Sequence, residues 1–116
     1  MATSNRTITL LFTGPPAGTQ TIPALENTAA PNSIEIKTLA LGANTITVPT
    51  GGTTVTACTI VPPAGNTEEI TLKGVTGDTG FLLHETDPSS ISLSSDTESF
   101  VLTTSDVITG VRLYWS

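Results

Sequence analysis

The residues of this chain that are best suited to chemistry lie around its single histidine. His84, Glu85 and Asp87 are close together, and Asp78 precedes them. An imidazole beside carboxylates can hold a divalent cation, and carboxylate oxygens are the ligands that calcium prefers. The spacing fits no calcium-binding loop, so the sequence predicts no metal site and a solvated turn instead. Asp78, Glu85 and Asp87 are the groups to test for an ion.

Nucleophilic catalysis has little support in the sequence. A serine nucleophile needs a histidine base, and the chain offers only His84 and no Gly-x-Ser-x-Gly segment. Cys58 could pair with His84, but a lone thiol in a strand-like run is typical of a small buried apolar group. Glu68 and Glu69 are adjacent, and adjacent strand residues point to opposite faces, so they cannot flank one glycosidic bond. We therefore expect no enzyme activity and no cofactor.

Two further motifs bear on ligand binding. The glycine-rich segment 74–80 contains no lysine and precedes a strand, so it lacks the helix N-terminus of a phosphate loop and predicts a turn. Carbohydrate binding would use aromatic rings, and the available rings are Phe81, Tyr114 and Trp115. Trp115 falls on the inward face of its strand, which leaves few exposed rings. Carbohydrate binding stays open as an alternative.

Composition narrows the range of partners. The chain has 116 residues, with 4 Lys and Arg against 10 Asp and Glu, for a formal net charge of −6. Such a surface repels phosphates, so we expect no nucleic-acid partner. No apolar run is long enough to cross a membrane, and residues 8–12 are too short for a signal-peptide core, so we expect cytosolic synthesis without a membrane anchor. A chain of this length supports one core.

The elements that must position these residues are strands. Short runs with an apolar period of two recur along the chain and are closed by Gly, Pro, Asn or Asp, whereas helical spacing is absent from the sequence. The pattern predicts an all-β, single-domain antiparallel β-sandwich of eight to ten strands over residues 1–116. The candidate strands are 6–12, 19–23, 33–40, 44–49, 53–61, 68–74, 81–85, 90–94, 99–103 and 110–115. Residues 23–32 are weakly patterned and predict a surface crossing, and residues 1–6 predict an N-terminal arm.

The predicted core consists of the apolar residues that share the inward face of each run. They are Ile8, Leu10, Phe12, Ile34, Ile36, Ile46, Val48, Val55, Ile60, Ile70, Leu72, Leu83, Ile91, Leu93, Phe100, Leu102, Val111, Leu113 and Trp115. The apolar set changes phase within 33–41 and again within 53–61, which predicts a bulge or bend in each run. The last strand ends at Trp115, so the C-terminus should be tied into the core.

Several turns and strands of the C-terminal part resemble those of small all-β virion proteins encoded by tailed bacteriophages. The residues that carry the resemblance lie in 41–49, 60–67, 72–80 and the closing 110–115. The resemblance implies a jelly-roll or related sandwich that attaches to a protein shell, often as a trimer. It carries over no functional residues.

The resemblance leads to a specific functional expectation. We expect a non-enzymatic bacteriophage structural protein that decorates the capsid exterior of the virion, binds the major capsid protein in the assembled shell and stabilises neighbouring coat subunits as a homotrimer. It would be made in the host cytoplasm. Residues 1–6 or 23–32 are candidates for an arm that orders on the partner. The alternative is a carbohydrate-binding or host-adhesion module of a phage tail or fibre.

Overall fold

The computed structural model describes residues 2–15 and 18–116, and its regular elements are all strands. Two of the residues discussed above lie outside the described part: Met1, which was expected in the N-terminal arm, and the side chain of Phe12, which was expected in the core. The strands are β1 (Ala2–Phe12), β2 (Gly18–Ala30), β3 (Ser33–Leu39), β4 (Gly42–Thr47), β5 (Ala57–Val61), β6 (Ile70–Lys73), β7 (Phe81–Leu82), β8 (Ser89–Ser92), β9 (Ser99–Thr104) and β10 (Ile108–Trp115).

The last eight strands pair in a nested order. β3 pairs with β10, β4 with β9, β5 with β8 and β6 with β7, all antiparallel. The pairs alternate between a first sheet, ordered β3-β10-β5-β8, and a second sheet, ordered β4-β9-β6-β7. A long hairpin folded over in this way into two four-stranded sheets is a jelly roll. The predicted all-β antiparallel sandwich is therefore confirmed.

The core lies between the two sheets. Of the predicted core residues, ten are buried: Ile46, Val48, Val55, Ile60, Ile70, Phe100, Leu102, Val111, Leu113 and Trp115. Four more are half-buried against this cluster: Leu72, Leu83, Ile91 and Leu93. The cluster also contains Leu39, Cys58 and Ile108, which the predicted core omitted. Aliphatic side chains fill most of the space around the single tryptophan.

The predicted inward face of β3 is wrong. Ile34 and Ile36 are 60% and 70% exposed, and Glu35 takes part in the inward-facing set instead. The carboxylate of Glu35 accepts a hydrogen bond of 3.0 Å from the indole Nε1 of Trp115. A buried indole N–H needs an acceptor, and the inward face of β3 supplies it. Further along the same face, Leu39 is buried.

The two expected changes of phase have different outcomes. In β5 the change is confirmed, because Ala57 and Cys58 are both fully buried before alternation resumes. In β3 burial alternates regularly along the whole strand, so the expected slip is absent there. The irregularity lies in the partner strand β10, between Ile108 and Val111, where Gly110 has a φ of 84°. Glycine adopts this left-handed conformation without the steric penalty of a side chain.

β1 and β2 form a separate two-stranded sheet, here called the N-terminal ribbon. β2 runs through residue 30, so most of the segment expected as a surface crossing at 23–32 is paired strand, and the expected arm at 2–6 is part of β1. The radius of gyration is 15.4 Å, against about 13 Å for a compact domain of this length. The ribbon packs only sparsely against the jelly roll, and we infer that it extends away from it and accounts for the larger radius.

Candidate functional site

The base of the N-terminal ribbon is fixed to the jelly roll by polar contacts. The side-chain amide of Asn27 donates a hydrogen bond of 2.6 Å to the carbonyl of Thr54, and its oxygen accepts one from the backbone of Ala29. The backbone N–H of Thr54 returns a hydrogen bond of 2.8 Å to the Ala29 carbonyl. Asn27 is 8% exposed and Ala30 only 1%. These contacts fix the point at which the ribbon leaves the domain.

A second polar contact joins β1 to strand β8 of the jelly roll. The guanidinium of Arg6 donates hydrogen bonds to the hydroxyls of Ser92, at 3.2 Å, and Ser90, at 3.5 Å, on strand β8. The pairing of β1 with β2 is irregular between Arg6 and Ile8, and Ile8 and Leu10 follow this irregularity. They are 40% and 51% exposed, so their predicted core role is wrong.

The ribbon presents apolar side chains on both of its faces, since Leu11, opposite to Leu10, is 67% exposed. An isolated two-stranded ribbon is marginally stable in water because it has no third strand or helix to cover it. Ile8, Leu10 and Leu11 are thus apolar side chains that the described part of the chain leaves uncovered.

The outer face of the first sheet is a second open surface. Ile34 on edge strand β3 lies opposite Tyr114 of β10, and Ile36 lies opposite Arg112. Tyr114 is half-buried between Ile34 and Thr59 of β5, whereas Arg112 is exposed. The outer face therefore combines two exposed isoleucines with one aromatic ring and one cation.

His84 is an element of a local turn. Its Nδ1 accepts hydrogen bonds from the backbone N–H groups of Asp87, at 2.9 Å, and Thr86, at 3.2 Å, and its Nε2 lies 3.7 Å from Oδ2 of Asp87. The side chains of His84 and Asp87 are 61% and 74% exposed. The imidazole caps its own turn at the surface, which agrees with the predicted solvated turn.

The other candidate metal ligands serve different turns. Oδ2 of Asp78 accepts a hydrogen bond of 3.0 Å from the backbone of Val75 and closes the loop between β6 and β7. At Glu85 the backbone carbonyl accepts a hydrogen bond of 2.8 Å from the Asn66 amide, and the side chain is exposed. Within residues 2–15 and 18–116, no three His, Cys, Asp or Glu side chains are grouped as metal ligands.

Cys58 is buried whereas His84 is exposed, so the two side chains do not form a catalytic pair. Cys58 is 0% exposed, and burial, followed by the charge of Glu35, raises the pKa of its thiol to about 12. A thiol that stays protonated is a poor nucleophile, so Cys58 acts as a buried apolar group, as predicted. The Glu68 carboxylate, which precedes β6, accepts a hydrogen bond of 2.9 Å from the hydroxyl of Ser105, which follows β9.

The three aromatic rings considered for carbohydrate binding differ in how far they are exposed. Trp115 is 1% exposed and packs against Phe100, with ring centroids 6.1 Å apart. Its predicted inward orientation is confirmed. Phe81 is 61% exposed on short strand β7, and Tyr114 is half-buried on the outer face of the first sheet. Phe81 and Tyr114 thus belong to different sheets and do not form one platform.

Comparison of the chain with protein-family models, curated proteins and solved structures finds no match. In the described part of the chain, no helix has the length and apolar character that crossing a membrane requires. The candidate site is therefore defined by geometry alone, as the N-terminal ribbon and the outer face of the first sheet. Sequence reasoning missed it because it assigned Ile8, Leu10, Ile34 and Ile36 to the core.

Proposed function

We propose that this chain is a non-enzymatic structural protein of a bacteriophage particle, one that decorates the outside of the capsid. The observation that carries the proposal is the N-terminal ribbon, which projects from a jelly roll and exposes Ile8, Leu10 and Leu11. A projecting apolar ribbon suits attachment to another protein surface better than it suits binding of a small substrate. The proposed partner is the major capsid protein.

The ribbon supports binding across a junction between subunits. Its base is anchored through Asn27 and Arg6, so contacts made further along the ribbon would be transmitted to the jelly roll. A protein that spans two coat subunits stabilises the assembled shell, because separating the subunits would expose the apolar surface that the ribbon covers. Isolated coat subunits would offer only half of such a junction. We expect binding to assembled shells and little binding to free coat protein.

The edge strand β3 supports association between copies of the chain. Its Ile34 and Ile36 are exposed, and one of its two edges has no strand partner in the described sheets. Edges and exposed apolar residues of this kind are commonly covered at symmetric interfaces. The proposed assembly is a homotrimer on the virion exterior.

The shell-binding proposal is tested by co-sedimentation with capsids of the phage that encodes the chain. Burying one leucine contributes about 1.5–3 kcal/mol, so Leu10→Asp should weaken binding at least tenfold. Leu41→Asp is the matched control, because Leu41 is 65% exposed in the turn between β3 and β4, outside the ribbon. Equal binding by both variants, or absence of the chain from purified virions, would overturn the proposal.

The alternative function is carbohydrate binding or host adhesion on a phage tail or fibre. It is favoured by Tyr114, whose ring lies on the open face of the first sheet beside the hydroxyl-bearing Thr59. A glycan array tests it directly. Specific glycan binding that is lost in Tyr114→Ala but retained in Leu10→Asp would replace the capsid proposal with this one.

A further inference from the structure

A cleft opens between the two sheets near β7 and β8. Its volume is about 440 Å³, which lies within the range of small-ligand sites. Its apolar lining comes from both sheets: Leu72, Phe81, Ile91, Leu93 and Phe100. Phe100 is 6% exposed and forms the floor, whereas Phe81 is 61% exposed and forms one wall. The cleft is thus an apolar extension of the core that reaches the surface.

The rim of the cleft carries two opposite charges. Lys73 and Asp78 both line it, together with Gly74 and Gly80. The carboxylate of Asp78 is held in place by the hydrogen bond that it accepts from the backbone N–H of Val75. A charged head group at the rim would meet one attractive and one repulsive partner, so neither sign of charge gains a large advantage. The rim therefore favours a ligand whose head group is polar and uncharged.

The loop at the rim packs closely against β6 at Gly80. A Cβ atom at Gly80 would collide with the carbonyl oxygen of Leu72 and lie 2.6 Å from Cγ of Lys73. The loop can approach β6 this closely only because residue 80 is glycine.

We propose that this cleft binds the hydrocarbon chain of an uncharged amphiphile, such as an aliphatic alcohol, with its hydroxyl at the rim beside Lys73 and Asp78. The site is separate from the N-terminal ribbon and goes beyond the proposed attachment role. Each methylene group transferred from water contributes about 0.8 kcal/mol. Affinity should therefore rise about fourfold per added methylene until the chain fills the cleft.

The single tryptophan provides the readout. Trp115 lies 6.1 Å from Phe100, measured between ring centroids, and Phe100 lines the cleft. Bromohexanol bound in the cleft should quench Trp115 fluorescence in a saturable manner. Butanol, hexanol and octanol then compete with it, which gives the dependence of affinity on chain length. Hexanoate and hexylammonium, tested in the same way, should bind no more tightly than hexanol.

Three variants separate cleft binding from general adsorption. Leu93→Phe fills the cleft and should abolish saturable quenching, and Phe81→Ala, at an exposed position, should weaken binding severalfold without affecting folding. Val107→Ala is the matched control, since Val107 is 54% exposed and does not line the cleft. The proposal would be overturned if quenching in the wild type did not saturate. It would also be overturned if Phe81→Ala bound bromohexanol as tightly as the wild type, or if a charged head group bound tenfold more tightly than hexanol.

Discussion

Alkaline pH should destabilise this protein through the buried thiol of Cys58. Burial, with a smaller contribution from the charge of Glu35, raises the pKa of this thiol from its ordinary value of 9.0 to about 12. Below pH 9 the thiol is protonated in both the folded and unfolded chains and its ionisation does not affect stability. Between pH 9 and 12 the unfolded chain loses the proton while the folded chain keeps it, so unfolding becomes more favourable as pH rises.

The magnitude follows from the size of the shift. Each pH unit within this window changes the free energy of unfolding by about 1.4 kcal/mol. At pH 10.5 the unfolded thiol is almost fully ionised and the folded thiol is not, which corresponds to a loss of about 2 kcal/mol relative to pH 7. Such a loss is a substantial fraction of the stability of a small domain.

Urea unfolding at pH 7 and pH 10.5, in the presence of a reductant, measures this effect for the wild type and for Cys58→Ala. All other ionisable groups are the same in both proteins, so their contributions cancel in the difference between the two. The wild type should lose about 2 kcal/mol more than Cys58→Ala over this interval. Parallel pH dependence of the two proteins would refute the argument that burial holds the thiol protonated.

Glu35→Gln separates the two causes of the shift. Glutamine retains an oxygen that can accept the hydrogen bond from Trp115 but removes the negative charge near Cys58. Since burial is the larger cause, most of the pH dependence should persist in this variant. Complete loss of the pH dependence in Glu35→Gln would show that the charge of Glu35 dominates.

The remaining predictions concern packing and backbone conformation. Leu113→Ala should cost about 2–5 kcal/mol in urea unfolding because Leu113 is 0% exposed in the central strand β10, whereas Ile36→Ala, at a 70% exposed position, should cost less than about 0.5 kcal/mol. Equal costs would contradict the observed orientation of β3. Gly80→Ala should lower the thermal midpoint because its Cβ would meet the carbonyl of Leu72 and its φ is +68°, whereas Gly77→Ala, with open space around it, should not. Similar midpoints for the two glycine variants would refute this reasoning.

The positions of the strands were largely predictable from the sequence. A period-two pattern interrupted by turn residues is a local signal, and it placed strands near all ten of the observed ones. The inward orientation of Trp115 and the change of phase at Ala57 and Cys58 were predictable for the same reason. The solvated turn near His84 was predictable because Pro88 interrupts the strands there, although β7 ends at Leu82 and not at residue 85.

The faces of β3 and the exposure of β1 were not predictable in this way. Alternation shows that two faces of a strand differ, but the neighbouring elements decide which of them is buried. In β3, Glu35 on the inward face accepts a hydrogen bond from Trp115, a residue far away in the sequence, while Ile34 and Ile36 point outward. The candidate site depends on these outward-facing residues, so it was missed together with them.

The sequence by itself determined that this chain forms short antiparallel strands and where most of them lie, because strand formation follows from local alternation and turn chemistry. Only the tertiary structure decided that eight strands nest into a jelly roll while the first two project as a ribbon. Strand β3 pairs with β10 and β4 pairs with β9, so residues near the beginning of the jelly-roll sequence contact residues near its end. Whether an apolar side chain on such a strand is buried or exposed depends on those distant partners.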